Sequence, residues 1–207
     1  MARTGRPRQF DRAEAVDQAL QLFWQHGYDA TSLAQLKAGL GGGISAPSFY
    51  AAFGSKEALF EECVQRYLST YAQVTECLWD ESLPPRQAIE TALRQSARMQ
   101  CDDAHPKGCM VTLGIMSAPS PENAHVAQAL TRSRQRTRAG IQACVERAVN
   151  AGELASGTSA AVMATVFDSF LQGISILARD NTALESIDAA ITQIMRTWDI
   201  AATRATP

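Results

Sequence analysis

Apolar side chains recur every three or four positions along almost the whole chain, and no period-two run rich in β-branched and aromatic residues interrupts them. That periodicity builds helices and leaves nothing for a sheet, so an all-α fold is expected. At 207 residues the chain is one ordinary domain or a small one joined to a larger. Its 46% hydrophobic and 19% charged residues suffice to bury a core without disulfides or metals. The five cysteines, Cys63, Cys77, Cys101, Cys109 and Cys144, are scattered and form no Cys-x-x-Cys, which suits a reducing compartment. No secretory leader and no apolar run near the roughly 18 residues of a membrane span is read, so a cytoplasmic location without a membrane partner is expected.

Capping residues divide the periodic sequence. Asp11 stands before an apolar face of Val16, Ala19, Leu20 and Phe23, and Gly27 follows its last turn. Ser32 and Gln35 form a capping-box pattern ahead of Leu33, Leu36 and Leu40. After the Gly41-Gly42-Gly43 turn, Ser45 caps a third short helix with Pro47 in its first turn. Gly54 ends that helix and Ser55 caps a fourth, whose apolar residues run through Tyr67 and Tyr71 toward Trp79. Longer helices follow at about 85–100, 121–152, 159–179 and 183–202, with a short apolar one over 109–117. The expected architecture is a three-helix unit over residues 1–54 and a six-helix bundle over 55–207.

Net charge is −2, yet four arginines (Arg3, Arg6, Arg8 and Arg12) against Asp11 make the N-terminus basic. The stretch from Thr31 to Leu59 is a helix, a glycine turn and a second helix with small polar residues on its outer side. This is the pattern of a helix-turn-helix, whose second helix enters the major groove of DNA. Small side chains at Ser45, Ala46 and Ser48 let such a helix sit deep. Tyr50 offers a phenolic donor to phosphate. Ser55 and Lys56 lie at a helix N-terminus, where free N–H groups favour an anionic oxygen.

Residues 10–62, and above all Ser48 through Leu59 with Tyr50, Phe53, Lys56, Glu57 and Leu59 at their spacings, resemble the N-terminal domain of the TetR/AcrR family of bacterial transcriptional regulators. The resemblance implies a homodimer that binds a double-stranded operator and carries a small-molecule site in its C-terminal helices. It also implies phosphate contacts at Thr31, Tyr50 and Lys56, a recognition helix over residues 45–52, and repression relieved by an effector. The glycine turn is about two residues longer than the family pattern. Gly5-Arg6-Pro7-Arg8 is similar to the core of an AT-hook, an extended segment that lays arginine into a narrow minor groove. The candidate DNA contacts are therefore Arg3, Arg6, Arg8, Thr31, Ser32, Ser45, Ala46, Pro47, Ser48, Tyr50, Ser55 and Lys56. Lys107 through Val111 and Ser120 through Asn123 extend the resemblance into the C-terminal half.

Methionines and aromatics build adaptable small-molecule sites. On that ground Tyr67, Tyr71, Met99, Met110, Leu113, Met116, Met163, Phe167 and Phe170 are the pocket candidates, although most such residues at helical spacing are core. Cys101, His105 and Cys109 are four apart, and packing rather than metal binding or redox sensing is the expected role. Arg132, Arg134, Arg136 and Arg138 fall on two helical rows and read as a solvated face. Three histidines without triad order, HExxH, P-loop or GxGxxG leave no enzyme reading, and no cofactor is expected. The final two helices have apolar faces wide enough to pair with a second copy.

Overall fold

Each short N-terminal helix starts where a side chain replaces a missing backbone partner. A computed structural model of the chain describes residues 11–115 and 124–203, and the described residues hold nine α-helices, one 3-10 stretch and no strand. Asp11 accepts the N–H groups of Ala13 and Glu14 at 2.9 and 3.1 Å, opening α1 (Arg12–His26). The Ser32–Gln35 capping box opens α2 (Leu33–Gly39), and Ser45 opens α3 (Ala46–Phe53) by accepting from Ser48 N–H. Ser55 does the same for α4 (Lys56–Ser69), with Ala58 N–H at 3.0 Å. Between α2 and α3 the three glycines take φ of +56°, +74° and +102°, which L side chains adopt only with strain.

The fourth helix is shorter than its periodicity predicts. It stops at Ser69, and Tyr71–Trp79 continues as a 3-10 helix. The hydroxyls of Ser69 and Thr70 both donate to Arg66 O, at 3.0 and 2.7 Å, and so compete for carbonyls of the last turn. Beyond it come α5 (Pro85–Cys101), the single turn α6 (Met110–Leu113), α7 (Val126–Asn150), α8 (Ala160–Arg179) and α9 (Leu184–Thr203).

Two cores result. The first joins α1–α4, including Phe23, Trp24, Leu36, Phe49, Phe60 and Tyr67, and takes in Met110 and Val111 of α6 with Val126 and Leu130 of α7. The second is built from α5, α7, α8 and α9 around Leu93, Ile141, Phe167, Ile191 and Trp198. Residue 54 lies between α3 and α4, and the apolar face of α4 packs into the first core.

Trp24 stands at the seam. It is fully buried, and burying an indole contributes about 4–6 kcal/mol of apolar transfer free energy. Its Nε1 donates to Gly108 O at 2.9 Å, and its own carbonyl accepts from Arg179 of α8 at 3.0 Å. The ring stacks on His105 and meets Tyr67 and Tyr71 edge-on. One residue past the end of α1, Gly27 passes so close to Gly114 that an added Cβ would lie 3.1 Å from its carbonyl oxygen, and Tyr28 N–H donates to that same oxygen at 2.9 Å. Glu57 of α4 pairs with His125 at the start of α7.

Two expectations need correction. By length and composition α8 could cross a membrane, with a mean hydropathy of 1.6. It carries Asp168, paired with Arg138, and one face lies in the second core, so its apolar character fits a packed helix. The arginines of α7 are not a plain solvated face. Arg134 donates to Val111 O, Arg136 grips Glu76 with two N–H groups and lies over Trp79, and Arg138 holds Asp168. These arginines tie α7 to α6, to the 3-10 stretch and to α8.

Candidate nucleic-acid interface and effector cavity

The outer face of α3 is made of short side chains. Phe49 and Phe53 point into the core, and that leaves Pro47, Ser48, Tyr50 and Ala51 exposed with Ala46 half-buried. Ser45 and Ser48 bring their hydroxyls to 2.9 Å of each other at the helix start. The helix begins at Ala46 with Ser45 as its cap, as the sequence predicts. Tyr50 is 51% exposed, with its ring set edge-on against Phe49 and its hydroxyl making no hydrogen bond among the described residues. A surface of this shape lets the backbone approach base edges closely.

Around α3 the other candidates take different positions. Ser32 is exposed and engaged in its capping box. Thr31 is fully buried, and its hydroxyl donates to Gly27 O at 2.7 Å, satisfying a carbonyl left over where α1 ends. That side chain is therefore not available to phosphate, contrary to expectation. Ser55 and Lys56 sit together at the start of α4, as the spacing predicts. Lys56 lays its ammonium over the Tyr28 ring, 4.2 Å from the centroid, and burial lowers its pKa while Asp29 opposes the shift. Arg3, Arg6 and Arg8 lie outside the described residues.

A second feature lies in the bundle. A partly open cavity of about 60 Å³ is lined by α4, the 3-10 stretch, α5, α6, α7 and α8. Tyr67, Met99, Cys109, Val111 and Leu171 supply its apolar walls, and Ser96, Gln100, Thr112, Asp168 and Gln172 its polar ones. It shares Ala72, Thr75, Ser133 and Thr137 with an outer recess of about 300 Å³, which Arg132, Arg136 and Glu76 line. The Tyr67 hydroxyl donates to Cys109 Sγ at 3.3 Å, and burial holds that phenol well above its ordinary pKa.

Of the pocket candidates only Tyr67 and Met99 line this cavity. Met110, Leu113, Met163 and Phe167 are buried elsewhere, and Phe170 packs against the second core. Tyr71 stacks on Tyr67 and meets Trp24 edge-on, and Met116 lies outside the described residues. Periodicity marks a residue as inward-facing but does not separate close packing from a void. The buried polar residues Ser96, Gln100, Asp168 and Ser175 were not anticipated. Their signal was present: Ser96 and Gln100 are four apart on the apolar face of α5, and Asp168 is an acid inside an otherwise apolar run. Among the described residues no three His, Cys, Asp or Glu side chains come together to hold a metal. His105 instead stacks on Trp24 at 4.3 Å.

A small helix-turn-helix unit presenting a short-side-chain helix, seated on a helical bundle with a cavity, defines a class of one-component regulators. Residues 15–63 match the family model of bacterial regulatory proteins, tetR family, and residues 86–198 match the tetracyclin repressor-like C-terminal domain. The HTH-type transcriptional repressor ComR of Escherichia coli is 31% identical over 94% of this chain and 91% of its own length. A second Escherichia coli relative, the HTH-type transcriptional repressor BdcR, is 38% identical over 55% of this chain and 56% of its own. A cysteine mutant of the TetR family regulator CifR, solved with 26-bp double-strand operator DNA, superposes with a TM-score of 0.82 at 33% identity, covering 93% of this chain and 100% of that one. The chain belongs to the TetR family of bacterial regulatory proteins.

Proposed function

We propose that this protein is a homodimeric, cytoplasmic transcriptional repressor that binds a pseudo-palindromic operator and releases it when a small molecule enters the bundle. The observation that carries the reading is the outer face of α3, where Pro47, Ser48, Tyr50 and Ala51 stand exposed beside the start of α4. Residues 1–54 act as the reading unit with its basic arm, and residues 55–207 as the effector and dimerisation unit. Ser45, Ala46, Pro47 and Ser48 face the bases. Tyr50, Ser55 and Lys56 hold phosphates, and Ser32 lies beside them. The arginines of the arm enter the minor groove. The names of ComR and BdcR as repressors and the operator complex of CifR support the same reading.

The dimer uses α8 and α9. Val162 is 64% exposed, and Ile176 and Leu177 are also exposed on α8, leaving an apolar strip along a helix whose other face is core. Two such helix pairs make a four-helix interface related by a two-fold axis. The operator then has half-sites about 34–36 Å apart. An effector relieves binding only by favouring the DNA-incompetent arrangement.

Selection of a randomised duplex library on the purified protein at physiological salt tests this. An enriched inverted repeat is expected; enrichment of no sequence, together with a monomer in solution, rejects the reading. Within that assay Ser48→Ala alters base preference while Tyr50→Phe weakens all sequences alike. Removing residues 1–9 reduces the salt dependence of binding, because fewer phosphate counterions are displaced.

A further inference from the structure

Three buried polar residues on the wall of the inner cavity each keep a polar atom without a partner among the described residues. Ser96, Gln100 and Asp168 are each only 2% exposed, and all three line that cavity. Asp168 receives Arg138 and Gln172 on Oδ2 alone, and Oδ1 accepts nothing among the described residues. Gln100 uses Oε1 to accept from Ser175 at 2.8 Å, and its Nε2 donates to nothing among the described residues. The Ser96 hydroxyl makes no hydrogen bond among the described residues. A fully enclosed polar atom without a partner is costly, and among the described residues there is none. The open positions of these three groups therefore face the cavity space.

The set has a definite complementarity. Oδ1 of Asp168 takes a donor, Nε2 of Gln100 gives to an acceptor, and Ser96 does either. Charge narrows it further. Arg138 already neutralises Asp168, so a cation is not required, and an anion would meet the lone pairs of Oδ1. Tyr67, Met99 and Leu171 add apolar lining to the same cavity. A volume of about 60 Å³ holds a few waters or an organic group of about four heavy atoms.

We propose that the inner cavity binds a small uncharged molecule whose adjacent donor and acceptor, as in a primary carboxamide, bridge Asp168 and Gln100, with its short apolar end against Tyr67 and Met99. The proposal rests on the effector reading above and names the chemistry of that site.

Four probes of nearly one shape separate the possibilities: acetamide, acetone, acetate and acetamidinium. Each is titrated into the DNA-free protein and followed by ligand-observed NMR. Acetamide is expected to saturate in the millimolar range that so small a ligand reaches, at least tenfold tighter than the other three. Ser96→Ala should weaken acetamide about three- to tenfold with no fall in melting temperature, since that hydroxyl supports nothing in the fold. Gln100→Glu keeps the acceptor for Ser175 but replaces the donor, and should turn the preference toward acetamidinium. Equal binding of all four probes, or acetamide binding that Ser96→Ala leaves untouched, overturns the assignment. So does the absence of saturation by any probe, which means the cavity holds water only. Operator release is measured separately. Acetamide that binds as described but leaves the operator complex intact refutes the effector reading and not the donor–acceptor site.

Discussion

The serines of α3 and the serine at the cavity wall are used in opposite ways. Ser45 and Ser48 are exposed, hydrogen-bonded to each other and to the start of their own helix, all within three residues of sequence. Ser96 is buried four residues from Gln100, whose amide oxygen accepts from Ser175, 75 positions away. The outer face of α3 is thus defined by local hydrogen bonding. The cavity is defined by tertiary packing and is left with polar atoms to satisfy.

Breaking the joint between these regions should have the largest effect. Trp24→Ala is expected to lose about 3–5 kcal/mol in urea unfolding, since the indole is fully buried and bonded to Gly108. A loss under about 1 kcal/mol would mean that the two cores do not depend on it. A glycine pair sharpens the contrast. Gly54 in the reading unit and Gly108 in the bundle both have positive φ, +74° and +84°. Around Gly54 the space is open, whereas a Cβ on Gly108 would lie 2.5 Å from Leu113 Cδ1 and 2.8 Å from Ser175 O. Gly54→Ala should cost about 1–3 kcal/mol of backbone strain, and Gly108→Ala that plus a further 1–3 or so from overpacking. Equal shifts in melting temperature would show that the bundle yields as easily as an open turn.

Local capping predicts a smaller loss. Ser32→Ala removes one side of the capping box and should lower stability by about 1 kcal/mol by thermal melting; no change would show that packing of Leu36 alone holds α2. Least of all for stability, Tyr50→Phe removes an exposed hydroxyl and should move the unfolding free energy by no more than about 0.5 kcal/mol while weakening DNA binding. Unchanged DNA binding in a gel-shift titration would remove Tyr50 from the interface.

What the sequence revealed follows the same division. Caps at Asp11, Ser32, Ser45 and Ser55 are legible because a cap and its amide lie within three residues. The break at Ser69 was hidden, because apolar spacing continues unbroken from Tyr67 through Tyr71 while two hydroxyls stop the helix. The arginines of α7 were misread for a related reason. Their partners Val111, Glu76 and Asp168 are 23 to 60 residues away, beyond any local rule. The inward turn of Thr31 depends on where α1 ends, and only the folded backbone shows it.

The placement of Trp24 has an optical consequence. Its indole is wholly shielded from water, with two tyrosines at 4.8 Å positioned to pass excitation to it. Of the other two indoles, Trp198 is buried within the second core and Trp79 is 42% exposed. A movement that draws α1 away from the loop bearing His105 and Gly108 brings water to Trp24 and reddens its emission. The molecule therefore carries an intrinsic fluorescent gauge of how its reading unit is seated, with no label required.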